Sequence, residues 1–346
     1  MHNITRKEPI FSIIIVTYNS EEFIRECINS ILNSKFKEIE VIIVDNASSD
    51  NTPFILNEYK NKQLIKIFLN NRNVGFAKAC NIGAMYARGK YLVFLNPDTI
   101  VSPNWLSAIY KIFSEKNNIA IIQPLLLDYY DHRKVYSGGL LLLHPFVGFY
   151  WSLGNNDIKK IKEKSKNMYF AFATGAALCI RKDVFTKVGG FDDTFFLYFE
   201  EIDLNWRVWL AGYKSICTFN SVVYHAGGKG ASLSSIARKY LRAYFIHRNW
   251  FRHIIKNFTV KNLIKCLIIG LILFLLRDVY ILFKNREYIY LYSLIRSIFN
   301  NLKHIRLLIK ARREYIKFKK INEDVVIEKL SIRLSLNEIL SRLSSF

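Results

Sequence analysis

Four short apolar runs, each breaking off into polar residues, constrain this chain more than any other feature. SIIIVTYN (12–19), EVIIVDN (40–46), IKIFLN (65–70) and YLVFLN (91–96) are rich in β-branched residues and almost continuously hydrophobic, as strands buried on both faces must be. Between the first two, Phe23, Ile24, Cys27, Ile28, Ile31 and Leu32 recur at helical spacing, and the small-residue stretch GFAKACNIGAMYAR precedes the fourth. Strand–helix alternation of this kind predicts a mostly parallel, Rossmann-like α/β sheet with right-handed crossovers. Ligands of such sheets sit beyond the carboxyl ends of the strands. The residues at those ends are Thr17 and Asn19, Asp45 and Asn46, Asn70 and Asn73, and Asn96 and Asp98, so a polar pocket is expected along one edge.

With 346 residues, 51% of them hydrophobic, the chain can bury a large α/β core and still carry a substantial appendage. Five cysteines, odd in number, far apart and never in C-x-x-C spacing, indicate neither a disulfide framework nor a zinc site and fit a reducing cytoplasm. The N-terminal apolar run IFSIIIV leads into a polar turn with no small-residue cleavage site, so no signal peptide is expected. No G-x-G-x-x-G follows the first strand and no G-x-x-x-x-G-K-[ST] occurs, which argues against dehydrogenase and P-loop chemistry.

Six motifs in order give the pocket a class: SIIIVTYN, VDNASSD, NRNVGFAKACN, LNPDT, TGAALCIRKDVFTKVGGFDDTFFLYFEEIDLNWR and YHAGGKGAS. Together, from about residue 11 to about 230, they resemble family-2 glycosyltransferases of the GT-A fold, in the rhamnosyltransferase-like branch that builds surface polysaccharides. The resemblance implies that Asp45 accepts hydrogen bonds from the nucleobase while Thr17 and Asn19 line its pocket. By residue type alone Asp45 is a turn or capping residue, and the other two are strand-end turn residues. Arg72 and Asn73 fall at the donor diphosphate, and the helix opening at Phe76 would turn its first amides toward an anion. Gly75 otherwise simply opens a tight turn.

The family usually presents two metal-binding aspartates around one residue. Here these positions are Asn96 and Asp98, with Pro97 stiffening the approach. Asp98 is then the expected ligand for Mg2+ or Mn2+, His225 the second, and Asn96 a contact to the ribose or to Asp98. One charge fewer implies that metal and nucleotide bind together. An isolated histidine after an apolar strand is otherwise structural. Glu200, Glu201 and Asp203 follow a run of aromatics, where repulsion and partial burial raise a carboxyl pKa toward that of a general base. Acidic residues at a helix N-terminus also complement its dipole. The resemblance places the base on Glu201, with Glu200 and Asp203 as the other candidates, in a single displacement with inversion. Arg207 is expected to pair with Asp203. The stretch from Tyr136 to Trp151 reads as a loop or hairpin, either bordering the acceptor or in the core.

The net charge of +22 is concentrated between Arg238 and Lys320, where 20 lysines and arginines face only Asp278, Glu287 and Glu314. Within it, NLIKCLIIGLILFLL (262–276) holds about ten to fourteen usefully apolar residues, short of the roughly 20 that a bilayer span needs. An in-plane or re-entrant segment on anionic lipid is expected. No RNA-binding motif is present, and the plainer reading is a helical subdomain packed on the catalytic domain or on a second copy.

The expected organisation is a GT-A catalytic domain over 1–235, with a nucleotide-sugar half at about 11–125 and an acceptor half at about 126–235, then a basic, membrane-associated helical region over 236–346. The expected activity is hexosyl transfer from dTDP-rhamnose or a UDP-sugar to a growing, lipid-linked surface glycan at the cytoplasmic face of the membrane. No nucleic acid partner is expected, and oligomer formation is left open. The alternatives are a non-catalytic scaffold and a sugar-1-phosphate nucleotidyltransferase, whose Gly-rich N-terminal signature is missing.

Overall fold

The computed structural model describes residues 8–144, 148–164, 167–227 and 235–333. The four expected strands form as β1 (Phe11–Thr17), β2 (Ile39–Asp45), β3 (Ile65–Leu69) and β4 (Tyr91–Leu95), all parallel. They are joined by α1 (Ile24–Leu32), α2 (Thr52–Asn57) and α3 (Phe76–Tyr86). Every residue of β1 and β2 is buried, because alternate side chains feed two separate cores. Ile13, Ile15, Val41 and Ile43 pack with Cys27, Ile31 and Leu56, whereas Ile14, Val16, Ile42 and Val44 pack with Ala77 and Cys80 of α3.

The chain continues through β5 (Thr99–Val101), α4 (Trp105–Glu115), β6 (Ile119–Asp128), β7 (Val135–Ser137), β8 (Leu140–His144), β9 (Tyr150–Ser152), α5 (Asn155–Lys164) and β10 (Met168–Phe170). Then come β11 (Ala177–Arg181), α6 (Lys182–Lys187), α7 (Glu200–Leu210) and β12 (Lys214–His225). The main sheet runs β10-β12-β6-β11-β4-β1-β2-β3, and β11 is antiparallel to both of its neighbours. Short β5 pairs antiparallel with the end of β12 and puts Thr99 opposite His225. That pairing delivers the LNPDT turn to the histidine. The stretch expected as a loop or hairpin includes the β8–β9 hairpin, which joins β13 (Ser331–Arg333) in a small second sheet.

The C-terminal region folds as α8 (Ser235–Asn257), α9 (Val260–Asn285), α10 (Ile289–Lys303), α11 (Ile305–Ile316) and α12 (Glu323–Leu330). Packing does not break at the expected boundary of 235/236. A single core joins Ile202, Trp206 and Trp209 of α7 to Trp250 and Ile254 of α8, Phe274 of α9 and Val326 of α12. Gly270 permits the close approach of α9 to α8, since a Cβ there would lie 2.1 Å from the Trp250 ring.

One expectation about this region changes. α9 is a continuous helix of 26 residues whose best 18-residue window has a mean hydropathy of 2.4, so by length and composition it can cross a bilayer. The shorter reading stopped at Arg277 and Asp278, which lie inside the helix, Asp278 buried and paired with Arg277 at 2.7 Å.

Candidate active site

At the donor end, the polar strand termini bind one another. Thr17 Oγ1 donates to Asp45 Oδ1 at 2.7 Å, Ser48 Oγ donates to the same oxygen at 2.6 Å, and the Ser48 amide donates to Oδ2 at 2.9 Å. Asp45 is thus buried and fixes the turn after β2, the Asx geometry its position suggested. Asn19, at φ +50°, accepts from the Ser49 amide at 2.8 Å and ties the β1 end to that turn. Asn73 Oδ1 accepts from the Gly75 amide at 2.9 Å, and Arg72 stands exposed on the same loop. Ser48 was not singled out in the sequence, although its place three residues after Asp45 is the signal that could have found it.

The start of α3 departs from expectation. The amides of Phe76 and Ala77 do not open toward an anion: both donate to the Phe196 carbonyl, at 2.6 and 3.4 Å. Gly75, at φ +89°, is required because a Cβ would lie 2.6 Å from the Phe196 ring. This glycine admits the aromatic loop that leads into α7.

The LNPDT turn and the histidine do meet. His225 Nε2 lies 3.2 Å from Asp98 Oδ1 and 3.5 Å from the Asn96 side-chain nitrogen. Tyr136, the first residue of the stretch expected to border the acceptor or lie in the core, packs edge-on against the imidazole at 4.4 Å. An imidazole nitrogen and a carboxylate oxygen are donors that Mg2+ or Mn2+ would accept, and at 3.2 Å the two also reach each other directly. No group of three or more His, Cys, Asp or Glu suited to a metal occurs among the described residues. A cation held there would therefore complete its shell from phosphate and water, as Mg2+ commonly does.

The three acidic residues of α7 separate sharply. Glu200 is buried, with Oε2 unpartnered; burial, then the charge of Glu201, pushes its carboxyl well above the usual range. Glu201 is half-buried, and burial pushes its carboxyl up to about 7. Since the two cannot easily ionise together, the deeper Glu200 keeps its proton and Glu201 is the one that ionises near neutrality. Asp203 points elsewhere. Arg207 Nε donates to it at 2.8 Å, as expected from their spacing, while Lys256 lies 3.2 Å away and Asn257 Nδ2 donates at 2.7 Å. Burial alone would raise Asp203, but Lys256 and Arg207, with His253, hold it below the ordinary carboxylate range. Fully enclosed and ionised, it cannot take a proton from a substrate. Asp203 thus anchors the helix and stands apart from the Glu200–Glu201 pair.

Glu200 and Asn96 are linked through the two residues just before β11. A Cβ on Gly175 would lie 4.0 Å from Glu200 Oε1, and the carbonyl of the next residue, Ala176, accepts from the Asn96 amide at 3.0 Å. Four parallel strands with polar ends, followed by the reversed strand β11 beside β4 and by α7 with Glu200 and Glu201 in its first turn, make up the GT-A arrangement. The chain belongs to glycosyl transferase family 2, whose model matches residues 12–189. An uncharacterised glycosyltransferase of Haemophilus influenzae is 37% identical over 119 residues, 34% of this chain and 37% of its own length. The chain thus spans little more than a third of that relative. An N-acetylglucosaminyl-diphospho-decaprenol L-rhamnosyltransferase of Mycobacterium tuberculosis is 24% identical over 272 residues, 70% of this chain and 87% of its own. Among solved structures, a mannosyltransferase from Pyrobaculum calidifontis in complex with GDP-Man and Mn2+ aligns with a TM-score of 0.53 at 15% identity, over 86% of this chain and 88% of its own.

Proposed function

We propose that this glycosyltransferase inverts the anomeric centre of a nucleoside-diphosphate sugar and moves that sugar to a lipid-linked surface glycan at the cytoplasmic face of the membrane. The observation that carries the reading is the Glu200–Glu201 pair at the first turn of α7, two adjacent carboxyls taken largely out of water, where burial pushes Glu201 up to about 7. Glu201 takes the proton of the acceptor hydroxyl as that oxygen attacks the anomeric carbon. The nucleoside diphosphate leaves from the opposite face, and no protein nucleophile is needed. Asp98 and His225 would hold Mg2+ or Mn2+, which when bound supplies charge neutralisation for the departing diphosphate. Thr17, Asn19 and Asp45 shape the base pocket, with Asn96, Arg72 and Asn73 around the ribose and diphosphate. The rhamnosyltransferase relative favours dTDP-rhamnose as donor, with UDP-sugars as the other choice.

The test is thermal stabilisation by UDP, dTDP, GDP, CDP and AMP, each with and without Mn2+, in wild type and Asp98→Ala. A metal-dependent rise for dTDP or UDP that disappears in the variant supports the reading. No rise with any nucleotide in folded protein favours a non-catalytic scaffold instead.

A further inference from the structure

Phe196, Tyr198 and Phe199 hold φ values of 64°, 66° and 72°, three left-handed non-glycine residues in the four that precede Glu200. Such a segment keeps its shape only where its surroundings over-determine it. One side of the clamp is the start of α3, whose Phe76 amide donates to the Phe196 carbonyl. The other side is α8. Asn249, fully buried, directs its side-chain amide at three carbonyls of the segment: Phe195 at 3.0 Å, Leu197 at 2.8 Å and Tyr198 at 2.7 Å. Arg248 Nε donates to Asn249 Oδ1 at 3.0 Å and so fixes which end of the amide faces the segment. Phe245 stacks on Phe196 at 5.2 Å and 14°, while Arg252 donates to the Thr194 carbonyl and Lys256 to Asp192. Positions 245, 249, 252 and 256 share one face of a helix, and that face is turned to residues 192–198.

We propose that Asn249 is a positioning residue for sugar transfer: it holds the 195–199 segment in the strained form that presents Glu201 to the acceptor hydroxyl. The proposal rests on the reading of Glu201 as base. Without the Asn249 amide, the Leu197 and Tyr198 carbonyls lose its donor, Phe195 keeping only the Arg248 Nη2 and Leu197 amide, and the segment relaxes toward ordinary φ. The first turn of α7 then shifts. A displacement of about 1 Å in a reacting group costs on the order of 100-fold in rate, and a looser segment also lets water reach Glu201, lowering its pKa.

The experiment compares wild type, Asn249→Ala and Arg248→Lys, the last leaving Asn249 in place but losing both the Nε that orients it and the Nη2 that donates to the Thr194 and Phe195 carbonyls. Release of nucleoside diphosphate from dTDP-rhamnose or UDP-glucose is followed against pH, and amide exchange is followed across the chain. In Asn249→Ala, kcat is expected to fall about 100-fold with the donor KM little changed. The acidic limb of the pH profile should move to lower pH, and exchange at residues 195–201 should accelerate while β1 and β4 stay protected. Arg248→Lys should move each readout the same way by less, and serves alone if the alanine variant does not fold. A lower Tm with kcat and the acidic limb unchanged would overturn the proposal, as would unchanged exchange at 195–201. Wild-type turnover by Glu201→Gln would instead sink the base assignment, while the exchange comparison still decides whether Asn249 holds the segment.

Discussion

Adjacent glutamates on one helical turn are electrostatically unequal because Glu200 is buried and Glu201 half-buried, although Oε2 of each is enclosed without a partner. Glu201 sits near 7 rather than the ordinary 4.5, raised by burial, and a general base must be ionised, so kcat/KM is expected to rise tenfold per pH unit below about 7 and level off above it. A profile that is flat from pH 5 to 8 would rule Glu201 out. The same shift has a stability consequence of opposite sense. A carboxyl with a raised folded-state pKa resists ionisation in the folded protein, so its favourable share is present below the ordinary pKa and lost as pH climbs through about 7. Glu201→Gln should therefore be inactive yet more stable than wild type at pH 8, by about 1–3 kcal/mol, with little difference at pH 4. Urea denaturation at the two pH values measures this. Lys256 behaves in the reverse way. It is buried between Asp192 and Asp203, and Lys256→Met, which leaves both carboxylates short of a cation, should cost about 3–5 kcal/mol.

Among the elements, the strands were the most legible part of the sequence. β1, β2 and β4 are buried on both faces, so their apolar runs stand out without any alternation to decode. The Asp98–His225 contact was legible only through motif resemblance, since the two lie far apart in the chain and meet through the three-residue strand β5. Asp203 was misread for a physical reason: the residues that claim it, Lys256 and Asn257, lie more than 50 positions downstream on a helix whose basic composition suggested a partner outside the protein. Arg248, Arg252 and Lys256 instead face inward. The junction of α3 and the aromatic loop gives a sharp element-scale test. Gly75→Ala combines φ +89° with a Cβ 2.6 Å from the Phe196 ring, and should destabilise by about 1–3 kcal/mol. Because Phe196 must move, activity should fall further than Tm alone explains, with rate and melting curve measured on the same preparation.

For the whole molecule, the question is how a 26-residue apolar helix relates to a catalytic body that also holds its neighbours. Both ends of α9 return to the body. Lys239 near the start of α8 pairs with Glu287, just past the end of α9, at 2.6 Å, while Thr259, which caps the first turn of α9, donates to Glu323 of α12. We propose that α9, which runs back along α8, lies in the membrane plane rather than crossing it. The outer face of α9 exposes Ile264, Ile268, Ile272 and Leu276, and α10 adds Phe299 and Leu302. Lysines and arginines around these faces suit anionic headgroups. Removing everything after residue 260 would strip Phe274, Leu294 and Val326 from the core shared with α7, so truncation would confuse membrane release with unfolding. Ile268→Glu with Ile272→Glu avoids this, because both side chains are exposed. We expect the double variant to keep the wild-type Tm and its nucleotide response but to lose flotation with vesicles containing phosphatidylglycerol, while wild type floats with those vesicles and less with phosphatidylcholine alone. Flotation unchanged by the two glutamates would mean that α9 does not lie on the bilayer through this face.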